Sequence, residues 1–143
     1  MQLTLHTDYS IRVLIYLGLN PERLVTISEI ADAYSISRNH LVKVVHGLGK
    51  RGYVSTFRGQ HGGLRLASPP AQISLGEVVR RTETFNLVEC FDKETDTCPI
   101  TAACIIKGVL GHAQESFLKV LDGYTLADVL KNDKRLSPLL NIV

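Results

Sequence analysis

The sequence predicts a mainly α-helical protein with one small β-hairpin, and three observations lead to that fold class. Three short helical patterns follow one another in the first third of the chain, and a glycine-rich connection then joins two short β-like runs. A long amphipathic helical pattern returns from Thr101 to about Leu121. With 143 residues, the chain has room for one domain, or for a small domain that carries a helical extension.

The three N-terminal helices are marked by their capping residues. The first is expected to follow a cap at Thr7, and its apolar residues recur at helical spacing until the Asn-Pro pair at 20–21 stops it. Residues 26–29 form a capping box that opens a second, short helix. After a tight turn, Ser37 can cap a third, basic helix, which Gly52 closes.

The β-like runs follow directly. They cover residues 53–57 and 64–66, and the connection 58–63 has the length and glycine content of a hairpin loop. Three short helices followed by such a hairpin form the pattern of a winged helix-turn-helix. The tight turn before the third helix and the basic character of that helix strengthen the prediction. We therefore expect residues 1–68 to form a winged helix-turn-helix DNA-binding domain.

The remainder of the chain is expected to form a linker and a helix through which two chains dimerise. Residues 74–77 read as a second capping box at the start of a short helix, and residues 83–99 are acidic and lack any periodicity. The long helical pattern that follows has a wide apolar stripe that needs a partner, and a second copy of the chain is the simplest one. We therefore expect a linker helix and loop over 69–100, and a dimerisation helix with a capped C-terminal helix over 101–143.

Basic residues concentrate in the predicted winged unit. Residues 1–68 carry eight Lys or Arg and four Asp or Glu, a balance of +4, whereas the rest of the chain has a balance of −2. No carboxylate occurs between Asp32 and Glu77, although six Lys or Arg fall there. A polyanion is the natural partner of such a stretch, because each neutralised phosphate releases condensed counterions. A solvated basic face is the alternative, and the predicted fold favours double-stranded DNA.

Residues near the start of the second helix of a helix-turn-helix reach base edges in the major groove, and the glycines of a wing permit close approach to the minor groove. Arg38 can read guanine and Asn39 adenine, although either can bind phosphate instead. The expected DNA-binding residues are Ser37, Arg38, Asn39, His40, Lys43, Arg58, His61, Gly62 and Gly63.

Several classes of protein are excluded or disfavoured. No apolar run approaches the roughly 20 residues that a membrane span needs. The N-terminus has neither the basic stretch nor the apolar core of an export signal, so a cytoplasmic protein with reduced thiols is expected. There is no cofactor loop and no catalytic pairing in the sequence, which disfavours an enzyme.

All three cysteines lie around the acidic stretch, in the pattern Cys90-x7-Cys98-x5-Cys104. Clustered thiols in a cytosolic chain are more often ligands or redox groups than packing residues. The spacing is too wide for zinc knuckles and ribbons, and a thioredoxin-type Cys-x-x-Cys is missing. Iron–sulfur clusters accept wider loops, because each thiolate reaches a different iron. An iron–sulfur cluster, [2Fe–2S] or [4Fe–4S], is therefore the favoured cofactor.

Three thiolates leave one coordination position unfilled, and the residues leave its occupant open. An oxygen ligand would bind more weakly and exchange more easily than a fourth thiolate, which suits a sensor. The candidates are His6, Asp8, Glu89, Asp92, Asp96 and His112. Other interpretations also stay open: a winged-helix regulator that senses thiol oxidation or carries zinc without iron, a redox enzyme or electron carrier, and three cysteines that simply pack as small apolar groups.

Motifs along nearly the whole chain carry a family resemblance. They are MQLT at 1–4, TDY at 7–9, SRNHLVKV at 37–44, RGQHGG at 58–63, the three cysteines, and YTLAD at 124–128. With these motifs the chain resembles the NsrR-type family of nitric-oxide-sensing iron–sulfur repressors, a winged-helix family that also contains IscR. The resemblance implies a homodimer that binds a palindromic operator, with nitric oxide as the signal.

The resemblance also implies a ligand set. Cys90, Cys98 and Cys104 would hold the cluster, and Asp8 would supply a fourth, oxygen ligand across the dimer. Arg12, one helical turn after Asp8, would orient that carboxylate. IscR-like regulators of iron–sulfur homeostasis, the alternative branch, instead use a histidine three residues after the third cysteine. That position is Lys107 here, which argues against that branch. The first cysteine interval is longer than the family pattern.

Overall fold

The computed structural model describes residues 1–143, which form seven α-helices and one antiparallel hairpin. The helices are α1 (Leu5–Gly18), α2 (Ile27–Tyr34), α3 (Arg38–Lys50), α4 (Leu75–Thr82), α5 (Ile105–Asp122), α6 (Leu126–Val129) and α7 (Asp133–Leu139). The strands are β1 (Val54–Phe57) and β2 (Gly63–Leu66). The mainly helical fold with a hairpin wing is thus confirmed. No helix combines the length and the apolar character that crossing a bilayer requires.

The hairpin is anchored to the helical part through an isolated β-bridge between Val25 and Leu64. Val54 pairs with Leu66 and Phe57 with Gly63, so the predicted connection 58–63 forms the hairpin loop except for Gly63, which already belongs to β2. The N–H of Val25 donates to the carbonyl of Leu64 at 3.0 Å, and the reverse bond measures 2.8 Å. These two hydrogen bonds hold β2 against the residues just before α2 and so fix the position of the wing.

Three of the predicted caps are present. Thr26 and Glu29 form a reciprocal capping box at α2, and the Ser37 hydroxyl accepts from the N–H of His40 at 3.2 Å. A second reciprocal box joins Thr125 and Asp128 at α6. Hydrogen bonds from Lys131 and from Thr125 lower the pKa of the Asp128 carboxyl to about 2. These caps satisfy N–H groups that have no partner inside their own helices.

The first helix begins earlier than predicted. Thr4, and not Thr7, is its N-cap: Thr4 is extended and its hydroxyl accepts from the N–H of Thr7 at 3.3 Å. Thr7 lies inside the helix and is fully buried. The threonine three residues upstream can reach this N–H, so it takes the capping role from Thr7.

Two other helix starts also differ from the prediction. The Ser74 hydroxyl accepts from the N–H of Glu77 at 3.3 Å, but the Glu77 carboxylate pairs with Arg81 at 2.6 Å, so the predicted reciprocal capping box does not form. The long helix begins at Ile105 because Thr101–Ala103 form a separate 3-10 turn.

One hydrophobic core includes residues from the winged unit and from the later elements. Ile73, Val78, Leu126 and Leu140 belong to the same buried cluster as the apolar residues of α1, α2 and α3. Backbone hydrogen bonds between the start of α4 and the turn before α6 reinforce this packing, as in the 2.9 Å bond from the N–H of Leu126 to the carbonyl of Ile73. The C-terminal elements therefore help to hold the DNA-binding unit together.

Replacing Leu126 with Ala is expected to lower the free energy of unfolding by about 2–5 kcal/mol, because the Leu126 side chain is fully buried in that shared core. Urea unfolding followed by circular dichroism measures the change. The matched control is Leu139→Ala, since Leu139 is 78% exposed and its loss should change the stability by less than about 0.5 kcal/mol. Equal stabilities for the two variants would contradict the shared core.

Candidate DNA-binding surface and cysteine segment

The helix-turn-helix is formed by α2, a tight turn and α3. Ser35 has a left-handed backbone, with a φ of 53°, which ends α2 sharply, and the nearly buried Ile36 anchors the turn in the core. Ser37 then starts α3. Because the turn is fixed at both ends, the orientation of α3 relative to α2 is set by the core.

The predicted base-reading residues share one exposed surface at the start of α3. The buried side of this helix consists of Leu41, Val44, Val45 and Leu48, which pack into the core. The polar residues predicted to bind DNA, namely Ser37, Arg38, Asn39, His40 and Lys43, are all exposed. The structure therefore leaves these five exposed around the start of α3.

The wing has a backbone that requires glycine at several positions. Gly59 has a φ of 106°, and a side chain at Gly62 would approach the carbonyl oxygen of Phe57 to 2.2 Å. Arg58 and His61 are exposed on the same loop. The loop is therefore closely packed against its own backbone and presents a basic tip.

Arg65 extends the basic surface of the wing. Its guanidinium group lies 5.0 Å from the centre of the Phe57 ring, and both side chains are exposed. Arg65 lies in the stretch without carboxylates, but it was not among the residues predicted to bind DNA. The predicted strand 64–66 already placed it on the wing, and its basic side chain was the signal that could have included it.

The three cysteines lie in residues 83–104, which we call the cysteine segment. Cys90, Cys98 and Cys104 are half-buried and none of them forms a disulfide. Within one chain, no three side chains of the His, Cys, Asp and Glu types come together as a group able to hold a metal ion. A single chain therefore supplies free thiols of the right chemical kind for an iron–sulfur cluster, without assembling a complete site.

Two of the carboxylates considered as fourth ligands instead shape the cysteine segment. Asp96 accepts hydrogen bonds from the N–H of Cys98 and the hydroxyl of Thr101, both at 3.0 Å. Glu89 accepts from the N–H of Thr97 at 2.6 Å, and the hydrogen bonds from the Thr97 side chain and backbone lower the pKa of the Glu89 carboxyl. These contacts fold the chain locally around Cys98.

Asp8 lies in the first turn of α1 and forms a bidentate pair with Arg12. The two contacts measure 2.7 and 3.2 Å, and both side chains are about 40% exposed. The Arg12 guanidinium also lies 5.5 Å from the ring centre of Tyr9 and 5.8 Å from that of Tyr34. The predicted orienting contact between Arg12 and Asp8 is therefore present, and two aromatic rings hold Arg12 in place.

The start of α1 is attached to the start of the cysteine segment. One carboxylate oxygen of Glu83 accepts from the N–H of Thr4 at 2.7 Å and from the Thr4 hydroxyl at 3.1 Å. Burial raises the pKa of Glu83, but hydrogen bonding, led by the Thr4 N–H, outweighs it and keeps that pKa below its ordinary value. Sequence spacing does not reveal this contact, because its partners are 79 residues apart.

The end of α3 is attached to the end of α4 by an arginine. The Arg51 side chain donates from Nε to the carbonyl of Arg81 at 2.7 Å, and from Nη1 to the carbonyl of Gly47 at 3.0 Å. Burial and the positive charge of Arg51 lower the pKa of the nearby His6. Helices α1, α3 and α4 thus meet next to the point where the cysteine segment begins.

An exposed basic helix after a tight turn, followed by a glycine-rich wing, defines a winged helix-turn-helix DNA-binding protein. Residues 3–132 match the Rrf2 family, described as an iron-dependent transcriptional regulator. The chain belongs to the Rrf2 family. It is a transcriptional regulator and not an enzyme.

The relatives agree with this class. The chain is 52% identical to the HTH-type transcriptional regulator NsrR of Bacillus licheniformis, over 99% of this chain and 100% of the relative. It is 51% identical to NsrR of Bacillus subtilis, over 99% of both chains. Among solved structures, it is similar to T. potens IscR, with 26% identity, a TM-score of 0.74 and coverage of 92% of this chain and 88% of that one.

Replacing Gly62 with Ala is expected to weaken DNA binding about tenfold, because the new Cβ would clash with the Phe57 carbonyl and displace the wing. A tenfold loss of affinity is the size of effect expected when a protein loses one good contact in a DNA groove. Fluorescence anisotropy on a duplex selected from random sequence by the wild-type protein measures the affinity. Gln60→Ala, in the same loop, is the control and should bind as wild type does. Wild-type affinity in the Gly62 variant would remove the wing from DNA recognition.

Proposed function

We propose that this regulator is a cytoplasmic repressor that binds a palindromic operator as a homodimer, and that a nitric-oxide-sensitive iron–sulfur cluster controls its operator affinity. One observation carries the proposal: all three cysteines are free and half-buried in one segment, and the first residue of that segment is bonded to the start of α1. A change in this segment therefore has a direct route to the DNA-binding unit.

The DNA-reading role is proposed for the exposed start of α3 and for the wing. In a helix-turn-helix, side chains near the start of the second helix reach base edges, and Arg38 and Asn39 have the donors for bidentate contacts to guanine and adenine. The wing tip, with Arg58, His61, Gly62 and Gly63, would lie along the minor groove. The absence of carboxylates between Asp32 and Glu77 keeps this surface attractive to phosphate.

Dimerisation is proposed through α5. Apolar side chains on this helix have no cover in the single chain, with Ile105 83%, Ile106 56% and Val109 54% exposed. Contiguous apolar surface of this kind marks an interaction site. A second copy that packs its own α5 against this face would give a two-fold axis, as a palindromic operator requires.

We propose Cys90, Cys98 and Cys104 as the thiolate ligands and Asp8 of the partner subunit as the fourth. The three thiols are unpaired and half-buried, and Asp8 is exposed enough to reach another chain. The description of the Rrf2 family as iron-dependent supports iron rather than zinc. When bound, the cluster would supply the iron that reacts with nitric oxide. A second chain would supply the fourth ligand, which the three cysteines of one chain leave open.

The protein's own residues then determine how the DNA-binding unit responds. While Asp8 binds the cluster of the partner subunit, α1 would be fixed to that subunit. The helices that pack on α1 would then be fixed with it. While Asp8 is a ligand, Arg12 would orient its carboxylate; when Asp8 is released, only the pair seen in the single chain would remain. Freed in this way, α1 would shift the helix-turn-helix and lower the operator affinity. The proposed switch is therefore a change of α1 between a state fixed to the partner subunit and a released state.

Anaerobic purification tests the proposal. Wild-type protein should contain iron and acid-labile sulfide, and nitric oxide should abolish its operator binding. Cys98→Ser should lose most of the iron, because one of the three strong ligands is gone. Asp8→Ala should keep iron and sulfide, since an oxygen ligand is replaceable, but its operator affinity should respond at most weakly to nitric oxide. The readouts are iron and sulfide per chain, absorbance, and operator affinity by anisotropy.

The outcomes of this experiment separate the alternatives. Iron-free protein that binds the operator equally before and after nitric oxide would contradict the cluster proposal. Zinc bound in place of iron would indicate the winged-helix regulator that works without iron. An unchanged nitric oxide response in Asp8→Ala would remove Asp8 from the mechanism. Cys98→Ala serves as the second cysteine variant, because the serine hydroxyl is itself an oxygen ligand.

Introducing a charge on the exposed face of α5 should separate the subunits. Val109→Glu is expected to convert cluster-free dimers to monomers at micromolar concentration, because burying the new carboxylate without a partner is costly. Analytical ultracentrifugation measures the mass in solution. Glu115→Lys is the control and should stay dimeric, because Glu115 lies on the side of α5 opposite Ile106. A dimeric Val109→Glu variant would place the interface elsewhere.

A further inference from the structure

Helix α5 is held by its own chain mainly through its last two turns. Leu118 is its one buried residue, with 3% of its surface exposed, whereas Ile105 and Ile106 in its first turn are 83% and 56% exposed. The first turns are the part of α5 proposed above to contact a second chain. The helix therefore connects the proposed dimer contact to the DNA-binding unit of the same chain.

Backbone hydrogen bonds join the start of α4 to the residues that follow α5. The N–H of Leu75 donates to the carbonyl of Tyr124 at 3.0 Å, and the N–H of Leu126 donates to the carbonyl of Ile73 at 2.9 Å. The two bonds form an isolated antiparallel β-bridge. The motif YTLAD at 124–128 therefore supplies one side of the connection between α5 and α4.

The last turn of α5 lies directly against Gly76 in α4. A Cβ atom at Gly76 would lie 1.9 Å from a carboxylate oxygen of Asp122 and 2.9 Å from the backbone nitrogen of Asp122. Rotation of the Asp122 side chain can relieve the first contact, but only a movement of the helix end can relieve the second. Glycine at position 76 therefore permits the observed position of the end of α5.

An ion pair fixes the direction of the same helix end. The Arg80 guanidinium donates from Nη1 and Nη2 to the two carboxylate oxygens of Asp122, the second contact at 2.8 Å. A bidentate pair fixes orientation as well as distance. Both side chains are about 40% exposed, so the pair contributes little to the free energy of unfolding and acts mainly on geometry. We call Gly76, Arg80 and Asp122 the α4–α5 joint.

Helix α4 is fixed to the DNA-reading helix α3. Val78 is fully buried in the shared core, and Arg51, the residue after α3, donates to the carbonyl of Arg81 at 2.7 Å. A change in the angle between α4 and α5 therefore also changes the angle between α3 and α5.

The length of α5 converts a small rotation at the joint into a large displacement. From Asp122 back to Val109 the helix rises about 20 Å, so a rotation of about 10° at the joint displaces Val109 by about 3.5 Å relative to α3. The rise of one base pair along B-DNA is about 3.4 Å. In a dimer that pairs through α5, the joint therefore determines how far apart the two DNA-reading helices lie.

We propose that the α4–α5 joint is a specificity determinant, which sets the spacing between the two operator half-sites that the dimer accepts. The proposal rests on the dimerisation through α5 and on the palindromic operator proposed above. The role assigned to Gly76, Arg80 and Asp122 is to position the DNA-binding unit and not to contact bases.

A first test measures the joint without DNA or iron. Spin labels on unnatural side chains at His46, exposed on α3, and at Gly108, which has open space around it on α5, give a distance distribution by pulsed electron paramagnetic resonance. An excess of unlabelled chain restricts the signal to distances within one chain. Gly76→Ala should shift the mean distance by about 3 Å, because the helix end must move and the label is about 20 Å away. Asp122→Ala should broaden the distribution.

Glu77→Ala is the matched control for Asp122→Ala. It also removes one carboxylate from an exposed ion pair with an arginine of α4, the pair with Arg81 at 2.6 Å, but that pair lies within α4 and does not involve α5. This variant should keep the wild-type distance distribution. Unchanged distributions in both Gly76→Ala and Asp122→Ala would overturn the proposal.

A second test measures the spacing preference in the full-length dimer. An operator selected from random sequence by the wild-type protein is remade with single base pairs added or removed between its half-sites, and anisotropy gives each affinity. Wild type and Glu77→Ala should prefer one spacing. Gly76→Ala and Asp122→Ala should reduce this preference about fivefold or move it to another spacing, because each half-site must match one DNA-reading helix. Their affinity for a duplex with a single half-site should not change.

The outcomes remain distinct from one another. A merely structural role would weaken binding to the single half-site and to every spacing alike, which contradicts the proposal. If Gly76→Ala fails to fold, as its melting temperature would show, Asp122→Ala decides, because its side chain is exposed. If wild-type protein is monomeric or shows no preferred spacing, the proposed function fails, while the label distances still decide whether the joint fixes α5.

Discussion

The contact between the Glu83 carboxylate and Thr4 is the constraint that connects the DNA-binding unit to the cysteine segment, within a structure held together by one shared hydrophobic core. It satisfies the exposed N–H at the start of α1 and fixes that start to the first residue of the cysteine segment. Because α1 packs on α3 and its first turn carries Asp8, the position of this one helix sets the geometry of the DNA-reading surface and of the proposed fourth ligand.

A single chain forms a complete hydrophobic core, but it leaves an apolar face uncovered and its cysteines apart. Nineteen buried residues from both halves of the chain form one core, whereas the apolar side chains at the start of α5 face outward and the cysteines do not converge. The two deficiencies lie side by side, since Cys104 is the residue before α5. We infer that the pairing of two chains would cover the apolar face of α5 and bring Asp8 of the partner subunit to the cysteine segment.

The sequence predicted most local features of the fold and some of the site. Thr26, Ser37 and the glycine-rich hairpin were assigned correctly, because caps and tight turns depend on residues a few positions apart. Thr7 was wrong as a cap because Thr4 is equally suited by type, and only the backbone conformation shows which hydroxyl reaches the free N–H. Glu77 likewise has a competing partner, Arg81, one turn further along its own helix.

What the sequence by itself determined is therefore the order of elements, the basic character of the DNA-reading surface and the grouping of the thiols. These properties follow from composition and short spacing. The tertiary structure decided which distant groups meet: Glu83 with Thr4, Arg51 with Arg81, and Tyr9 with His40. Such contacts depend on how helices cross in a shared core. No periodicity along the chain predicts a contact between groups that lie tens of residues apart.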